Sequence, residues 1–259
     1  MPTKKFKIAT LGCRTNQYES AAYASQLGAL GYTEAGDLDP AEICIVNTCT
    51  VTHSADSDSR QRIRELQRKN PGAKVVVTGC LAESLTGLEN VVVVPNSRKE
   101  ALVEELFPDH ADLPEFKIDN FGAHTRAFVK VQDGCNSFCT YCIIPYVRGR
   151  STSRPLAEIL AEIQGLIANG YKEIVLTGIN IGDFENEGKV RLADLVRAVD
   201  ALEGLERLRV SSIDPDEVVT TSMLSMTVRL SDTDMGGGDR RSAMSGKEIR
   251  LTEYAACAG

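Results

Sequence analysis

The run Cys135-Asn136-Ser137-Phe138-Cys139-Thr140-Tyr141-Cys142 holds three cysteines in a C-x3-C-x2-C spacing. Three thiolates this close fill only three corners of a metal centre. A four-iron, four-sulfur (4Fe-4S) cluster held this way keeps one iron free of protein ligand, and that iron can bind a small molecule. Structural zinc is the plainer alternative. It usually takes four closed ligands in two C-x2-C-like pairs, and the nearest histidine, His124, lies outside the spacing. A disulfide framework fits less well. No apolar stretch follows Met1-Pro2-Thr3-Lys4-Lys5, so the opening does not read as a signal peptide. Clustered cysteines outside secretion point to metal or redox chemistry, and a cytoplasmic protein is expected.

Working outward, residues 127–131 read as a strand that leads through Gln132-Asp133-Gly134 into the cysteine loop. A helix starts at Pro155, runs to about Ala168 and stops at Asn169-Gly170. Residues 173–176 form a strand ending in Thr177-Gly178, residues 192–202 a helix, and residues 208–210 a strand ending in Ser211-Ser212. Three strand–helix units in series predict a β/α barrel, or part of one, with active residues at the carboxyl ends of its strands.

The same alternation fills the first hundred residues. Strands are expected at 6–11, 43–46, 74–77 and 91–94, and helices at 16–30, 54–69 and 97–107, the last capped by Ser97. Such alternation implies a parallel sheet with helices on its faces, whose ligands gather beyond the carboxyl ends of the strands. Cys13, Cys49 and Cys80 each follow a strand at that end, so three segments bring one thiol each to a common edge and a second metal centre is expected there. Cys44 falls inside a strand and reads as core. His53 reads as a solvent-facing loop histidine, with contact to the second centre as the alternative. Cys257 has no assigned role.

The 259 residues suffice for two modest domains. The fold class expected is α/β: an amino-terminal parallel α/β sheet domain over 4–110, a polar linker over 111–122, and a partial β/α barrel over 123–219. Hydrophobic residues at 42% and charged residues at 25% describe a globular chain, and no apolar run approaches membrane-span length. A net charge of −7 gives no global nucleic-acid footprint, but local basic patches remain. Arg60, Arg62, Arg64, Arg68 and Lys69 are either an RNA-facing patch or a solvated helix face. Arg148, Arg150 and Arg154 lie beside the cysteine run, where their planar forks suit RNA phosphates or a ligand carboxylate.

Several stretches together resemble the methylthiotransferase family of radical S-adenosylmethionine (radical SAM) enzymes. They are the run from Leu11 to Ser20, the run from Val46 to Thr52, Thr78-Gly79-Cys80, and Gly134 to Pro145 with Arg148-Gly149-Arg150. The resemblance implies an auxiliary 4Fe-4S cluster on Cys13, Cys49 and Cys80 and the radical SAM 4Fe-4S cluster on Cys135, Cys139 and Cys142. It implies a methylthio group inserted at C2 of an adenosine at position 37 of tRNA, using S-adenosyl-L-methionine as radical source and methyl donor. Replacing an unreactive C–H bond is a step for a cofactor, not for a side-chain acid or base. The target would be an unpaired base of the tRNA anticodon loop, and a flavodoxin or ferredoxin the electron donor. The runs after Cys13 and Cys49 look most like the branch acting on N6-threonylcarbamoyladenosine. Other branches act on N6-isopentenyladenosine or on a ribosomal-protein aspartate. By position in related enzymes, Thr177, Gly178, Arg209 and Ser211, with Ser212, would approach S-adenosylmethionine. For Arg209 the alternative is an ion pair with Glu206 or Glu173. A reading of another class is a non-catalytic, metal-bearing RNA-binding module or an inactive fragment.

The pattern changes after Val219. Met223, Met226, Met235 and Met244 follow a stretch that holds no methionine after Met1, and Gly236-Gly237-Gly238 interrupts the segment. A reading-frame shift in the coding sequence is the expected cause of this atypical tail over 220–259, with a natural, partly disordered tail as the alternative. Resequencing the coding DNA is expected to reveal the break near Val219; an uninterrupted frame that includes the tail overturns the expectation.

Overall fold

Ile43-Cys44-Ile45-Val46-Asn47-Thr48 is buried at every position, as a strand covered on both faces must be. The computed structural model describes residues 4–110, 112–119, 125–186, 189–213, 229–230 and 248–253. The chain divides into two units. The first joins Met1–Ile118 to Phe138–Gly149, and the second joins Asp119–Ser137 to Arg150–Gly259.

In the first unit, β1 (Lys5–Thr10), β2 (Thr33–Glu34), β3 (Ile43–Thr48), β4 (Lys74–Gly79) and β5 (Val91–Val93) form a parallel sheet in the order β2-β1-β3-β4-β5. Side chains alternate along β3. Ile43 and Ile45 join Phe6, Tyr23, Leu27, Val76 and Leu102 on one face. Cys44 and Val46 join Ala9, Ile63, Leu66, Val75 and Val77 on the other. Helix α1 (Arg14–Ala29) covers the first face. Helix α2 (His53–Lys69) covers the second, through a stripe of Ser59, Ile63 and Leu66. The Thr52 hydroxyl caps α2 by accepting from the Ala55 N–H at 3.1 Å. The basic side of α2 is partly neutralised, since Glu65 pairs with both Arg62 (2.8 Å) and Lys69 (2.6 Å).

Residues 97–107 do not form the single Ser97-capped helix expected. Asn96–Ala101 is a 3-10 turn with no side-chain cap, followed by the short α3 (Leu102–Leu106). Tertiary contacts pull the turn tight. Lys99 Nζ reaches the buried Glu19 at 2.8 Å, and the Lys99 carbonyl accepts from the Tyr23 hydroxyl at 3.0 Å. Downstream, the Gln26 amide donates to the Pro114 carbonyl at 2.9 Å, and Phe116 packs on Tyr18 and Tyr23. The later segment of this unit carries α4 (Ile144–Val147), held where the Asn96 amide donates to the Val147 carbonyl at 2.7 Å.

The second unit contains β6 (Arg126–Lys130), β7 (Gln132–Asp133), β8 (Thr152–Ser153), β9 (Glu173–Thr177), β10 (Glu185–Asn186), β11 (Val190–Arg191), β12 (Arg207–Ile213), β13 (Arg229–Leu230) and β14 (Glu248–Glu253). Its main sheet is parallel, in the order β13-β14-β12-β9-β6. Helix α5 (Leu156–Ala168) buries Ile159, Glu162, Ile163 and Leu166, and α6 (Leu192–Asp200) buries Leu192, Leu195, Val196 and Val199. The sequence shows three strands here, and the structure adds two from the tail. The alternation Glu248-Ile249-Arg250-Leu251-Thr252-Glu253 has the strand period of two, masked in the sequence by the glycine run before it. The remainder of the tail, Cys257 and His124 lie outside the described residues. Among the described residues no helix is long and apolar enough to cross a membrane.

Ile45 lies fully buried on the central strand. Replacing Ile45 by Ala is expected to cost about 2–5 kcal/mol of unfolding free energy, read as a lower denaturant midpoint for the first unit.

Candidate metal centre

Strands β1, β3 and β4 run parallel and in step, with Thr10 opposite Asn47 and Asn47 opposite Thr78. Their carboxyl ends therefore finish together, and Cys13, Cys49 and Cys80 follow at this edge. Gly12 and Gly79, each one residue before a cysteine, both have φ of +91°, a conformation that favours glycine. A Cβ on Gly12 would sit 2.7 Å from Cys49 Sγ, and one on Gly79 would sit 2.5 Å from the Thr48 carbonyl and from Asn47 Oδ1. Bare backbone is what allows the three cysteine segments to approach this closely.

Each cysteine has its own clamp. Asn16 donates to the carbonyls of Leu11 (2.7 Å) and Thr48 (3.0 Å), and its Oδ1 faces Cys13 Sγ at 3.6 Å. The Ser59 hydroxyl accepts from the Cys49 N–H and donates to the Cys49 carbonyl. The Cys80 N–H donates to the Thr48 carbonyl at 3.1 Å, and the Thr48 hydroxyl donates to the Thr78 carbonyl at 2.6 Å. Behind the edge lies a buried polar layer. Glu19 has no solvent exposure and pairs with Lys99 (2.8 Å) and Arg148 (3.2 Å), while the Asn47 amide donates to it at 3.2 Å. Arg148 also donates from Nε to Cys80 Sγ at 3.1 Å and from its other terminal nitrogen to Asn16.

Burial pushes the Cys49 and Cys80 thiols up. Arg148 opposes this at both, and charge at Cys13 adds to it. Cys13 thus lies within electrostatic reach of both Cys49 and Cys80. Among the described residues no three His, Cys, Asp or Glu side chains close on a single ion. The donor set is chemically suited to an iron–sulfur cluster: three thiols, all soft ligands, at one glycine-lined edge. Cys44 is buried in the core, as expected, and burial raises its thiol too. His53 opens α2 and is exposed.

The division between units falls inside the C-x3-C-x2-C loop, between Ser137 and Phe138. In the second unit, β7 and β8 pair antiparallel at the base of the excursion, and the Ser137 N–H faces Cys135 Sγ at 3.4 Å. In the first, the Cys142 N–H donates to the Cys139 carbonyl at 3.0 Å, and Phe138 stands edge-on to Tyr146. Phe138 has φ of +45°, an uncommon conformation for a bulky side chain.

Gln132, which sequence reasoning passed over, organises the second-unit side of this loop. Its amide nitrogen donates to the carbonyls of Asp133 (3.0 Å) and Gly134 (2.7 Å) and to the Ser151 hydroxyl (2.8 Å). Its Oε1 accepts from the N–H groups of Ile179 (2.9 Å) and Asn180 (3.0 Å). A Cβ on Gly178 would lie 2.7 Å from that oxygen, so glycine is required where the turn after β9 meets Gln132.

The other expected ligand contacts have different surroundings. Thr177 is buried at the end of β9, and Ser211 donates to the Leu176 carbonyl at 3.2 Å. Arg209 bonds Glu173 at 2.5 Å, and Arg207 bonds the same carboxylate at 3.0 Å. This pairing, the alternative weighed from the sequence, draws Arg209 toward the amino end of β9, away from the turn that carries Gly178. Burial raises the Glu173 carboxyl, but the hydrogen bonds from Arg207 and Arg209 outweigh it and hold the pKa below its usual range. The Arg148 side chain is shielded from solvent and paired with Glu19. Arg154 is committed to Glu162 at 2.7 Å and to the Lys130 carbonyl at 2.8 Å. Arg150 remains exposed. Asn16, Glu19, Ser59 and Lys99 were not singled out from the sequence. For the first two, the i, i+3 spacing on a helix that begins one residue after Cys13 was the available signal.

Residues 5–93 match the family described as "Uncharacterized protein family UPF0004", and residues 129–219 match the radical SAM superfamily. The threonylcarbamoyladenosine tRNA methylthiotransferase MtaB of Chlamydia pneumoniae is 53% identical over 219 residues, covering 82% of this chain and 52% of that protein. The chain belongs to the radical SAM methylthiotransferase family. The Bacillus subtilis protein of the same name is 36% identical over 231 residues, covering 81% of this chain and 51% of that one. The tRNA-2-methylthio-N(6)-dimethylallyladenosine synthase of Trichlorobacter lovleyi is 36% identical over 243 residues, covering 84% of this chain and 56% of that one. The chain thus spans about half the length of the curated relatives it matches.

Gln132→Leu keeps the side-chain volume but removes every one of these hydrogen bonds. Two N–H groups after β9 then lack their acceptor, at about 1–3 kcal/mol each where water cannot replace it. Hydrogen exchange at Ile179 and Asn180 is expected to accelerate by at least tenfold. Unchanged protection would show that Gln132 does not hold the turn.

Proposed function

We propose that this chain carries the cluster-binding part of a tRNA methylthiotransferase acting at C2 of N6-threonylcarbamoyladenosine at position 37. The observation that carries the reading is the edge where three parallel strands deliver Cys13, Cys49 and Cys80, together with the C-x3-C-x2-C loop that follows β7. Cys13, Cys49 and Cys80 hold one 4Fe-4S cluster, and Cys135, Cys139 and Cys142 hold the second. When bound, the clusters and S-adenosylmethionine supply the one-electron chemistry and the sulfur that no side chain provides. The choice of adenosine rests on the 53% identity to the Chlamydia pneumoniae protein.

The chain's own residues then bind, orient and shield. Thr177 and Gly178 border the S-adenosylmethionine site, with Gln132 fixing the turn beside them. Tyr141, Ile143 and Tyr146 are exposed beside the cysteine loop, where they exclude water and offer aromatic faces to an unstacked base. Arg150 meets phosphate of the tRNA anticodon loop. The electron comes from a flavodoxin- or ferredoxin-type protein in the cytoplasm. Dimethylallyladenosine (isopentenyladenosine) is the second reading, since the Trichlorobacter lovleyi and Bacillus subtilis relatives are equally identical to this chain.

Anaerobic reconstitution is expected to yield about eight irons and eight acid-labile sulfides per chain, falling to about four of each in Cys80→Ala. Mass spectrometry of anticodon stem-loops should then show the methylthio product on threonylcarbamoyladenosine in preference to isopentenyladenosine. Zinc without sulfide would overturn the reading, and the reverse preference would shift it to the second substrate.

A further inference from the structure

Arg148 lies 68 positions beyond Cys80 in the chain, yet its Nε is 3.1 Å from Cys80 Sγ. The contact falls inside the first unit, which includes residues 138–149. The guanidinium fork is used in three directions: toward the Cys80 sulfur, toward Glu19 at 3.2 Å and toward Asn16. Asn16 is the residue whose Oδ1 also faces Cys13 Sγ. Both the Arg148 and Glu19 side chains are fully shielded from solvent. Water therefore neither competes for these hydrogen bonds nor screens the charge.

A structural role alone does not account for this arrangement. Glu19 already has a cation in Lys99 at 2.8 Å, and a second one is not needed to neutralise it. The planar fork instead meets two acceptors and a sulfur at once, a task that the point charge of a lysine does not match. Cluster potentials respond to net charge, burial and hydrogen bonds to the ligand sulfurs. A charge-assisted N–H at one ligand favours the reduced, more negative state.

We propose that Arg148 is a positioning residue for the centre on Cys13, Cys49 and Cys80: it orients the Cys80 sulfur and raises the reduction potential of the cluster held there. The inference rests on the ligand assignment made above. It gives the first arginine of Arg148-Gly149-Arg150 a task at the auxiliary centre and leaves Arg150 for the RNA.

The test uses the full chain with Cys135, Cys139 and Cys142 all replaced by Ala, so that one site remains. After anaerobic reconstitution, iron and sulfide are counted and the midpoint potential is measured by an optical or electron paramagnetic resonance titration. Arg148→Gln, Arg148→Lys and Lys99→Met are compared in this background. The potential is expected to become more negative in Arg148→Gln, and to move less in Arg148→Lys and in Lys99→Met. That last variant loses the same charge from Glu19 without removing the donor to Cys80. An unmoved potential in Arg148→Gln, or an equal shift in Lys99→Met, overturns the inference and leaves the ligand assignment standing. Unfolding of both Arg148 variants assigns the residue to the fold and likewise overturns it. A parent chain that binds no cluster overturns the ligand assignment, and the inference with it.

Discussion

A carboxylate cut off from water stays charged only if its partners replace the hydration it has lost. Glu19 is such a carboxylate, and its partners come from three other parts of the chain. Lys99 arrives from the 3-10 turn, Arg148 from the segment after the cysteine loop, and Asn47 from the end of β3. One buried charge thus ties α1 to the sheet and to both neighbouring segments. It also orients Asn47, whose amide nitrogen must face Glu19 and whose Oδ1 then has no hydrogen-bond partner among the described residues. That oxygen lies where a side chain on Gly79 would go. The need for glycine just before Cys80 is thus linked, through Asn47, to a buried carboxylate on α1.

Much of the fold is legible in the sequence because burial on both faces leaves long apolar runs. Residues 43–46 and 74–77 declare themselves strands in this way, and the glycines that precede Cys13 and Cys80 mark sharp turns at strand ends. The edge shared by Cys13, Cys49 and Cys80 follows from parallel connectivity alone. The failures have local causes. Residues 97–107 have helical composition, but Lys99 and Tyr23 impose a tighter turn. The strand at 248–253 has the right alternation, but a polar, glycine-interrupted context conceals it.

Arg148 and Arg150 show where residue type stops being informative. Two positions apart, they have the same charge and the same neighbour, Gly149. One is sealed among Glu19, Asn16 and Cys80, and the other is open to solvent. The difference is made by partners up to 132 positions distant, which no local pattern reports. Gln132 illustrates the same point. A glutamine between an apolar strand and a cysteine loop is unremarkable until the turn after β9 is brought against it.

The first unit is discontinuous, since residues 119–137 belong to the second. Glu19 and Arg148 are 129 positions apart. Domains generally fold as they leave the ribosome, amino-terminal first. Here the sheet and Lys99 emerge early, but the layer under the cysteine edge stays incomplete until residue 148 has been translated. Assembly of this unit is therefore timed by synthesis of the C-x3-C-x2-C loop, and a nascent chain stalled before that loop holds its thiols at an edge without its arginine.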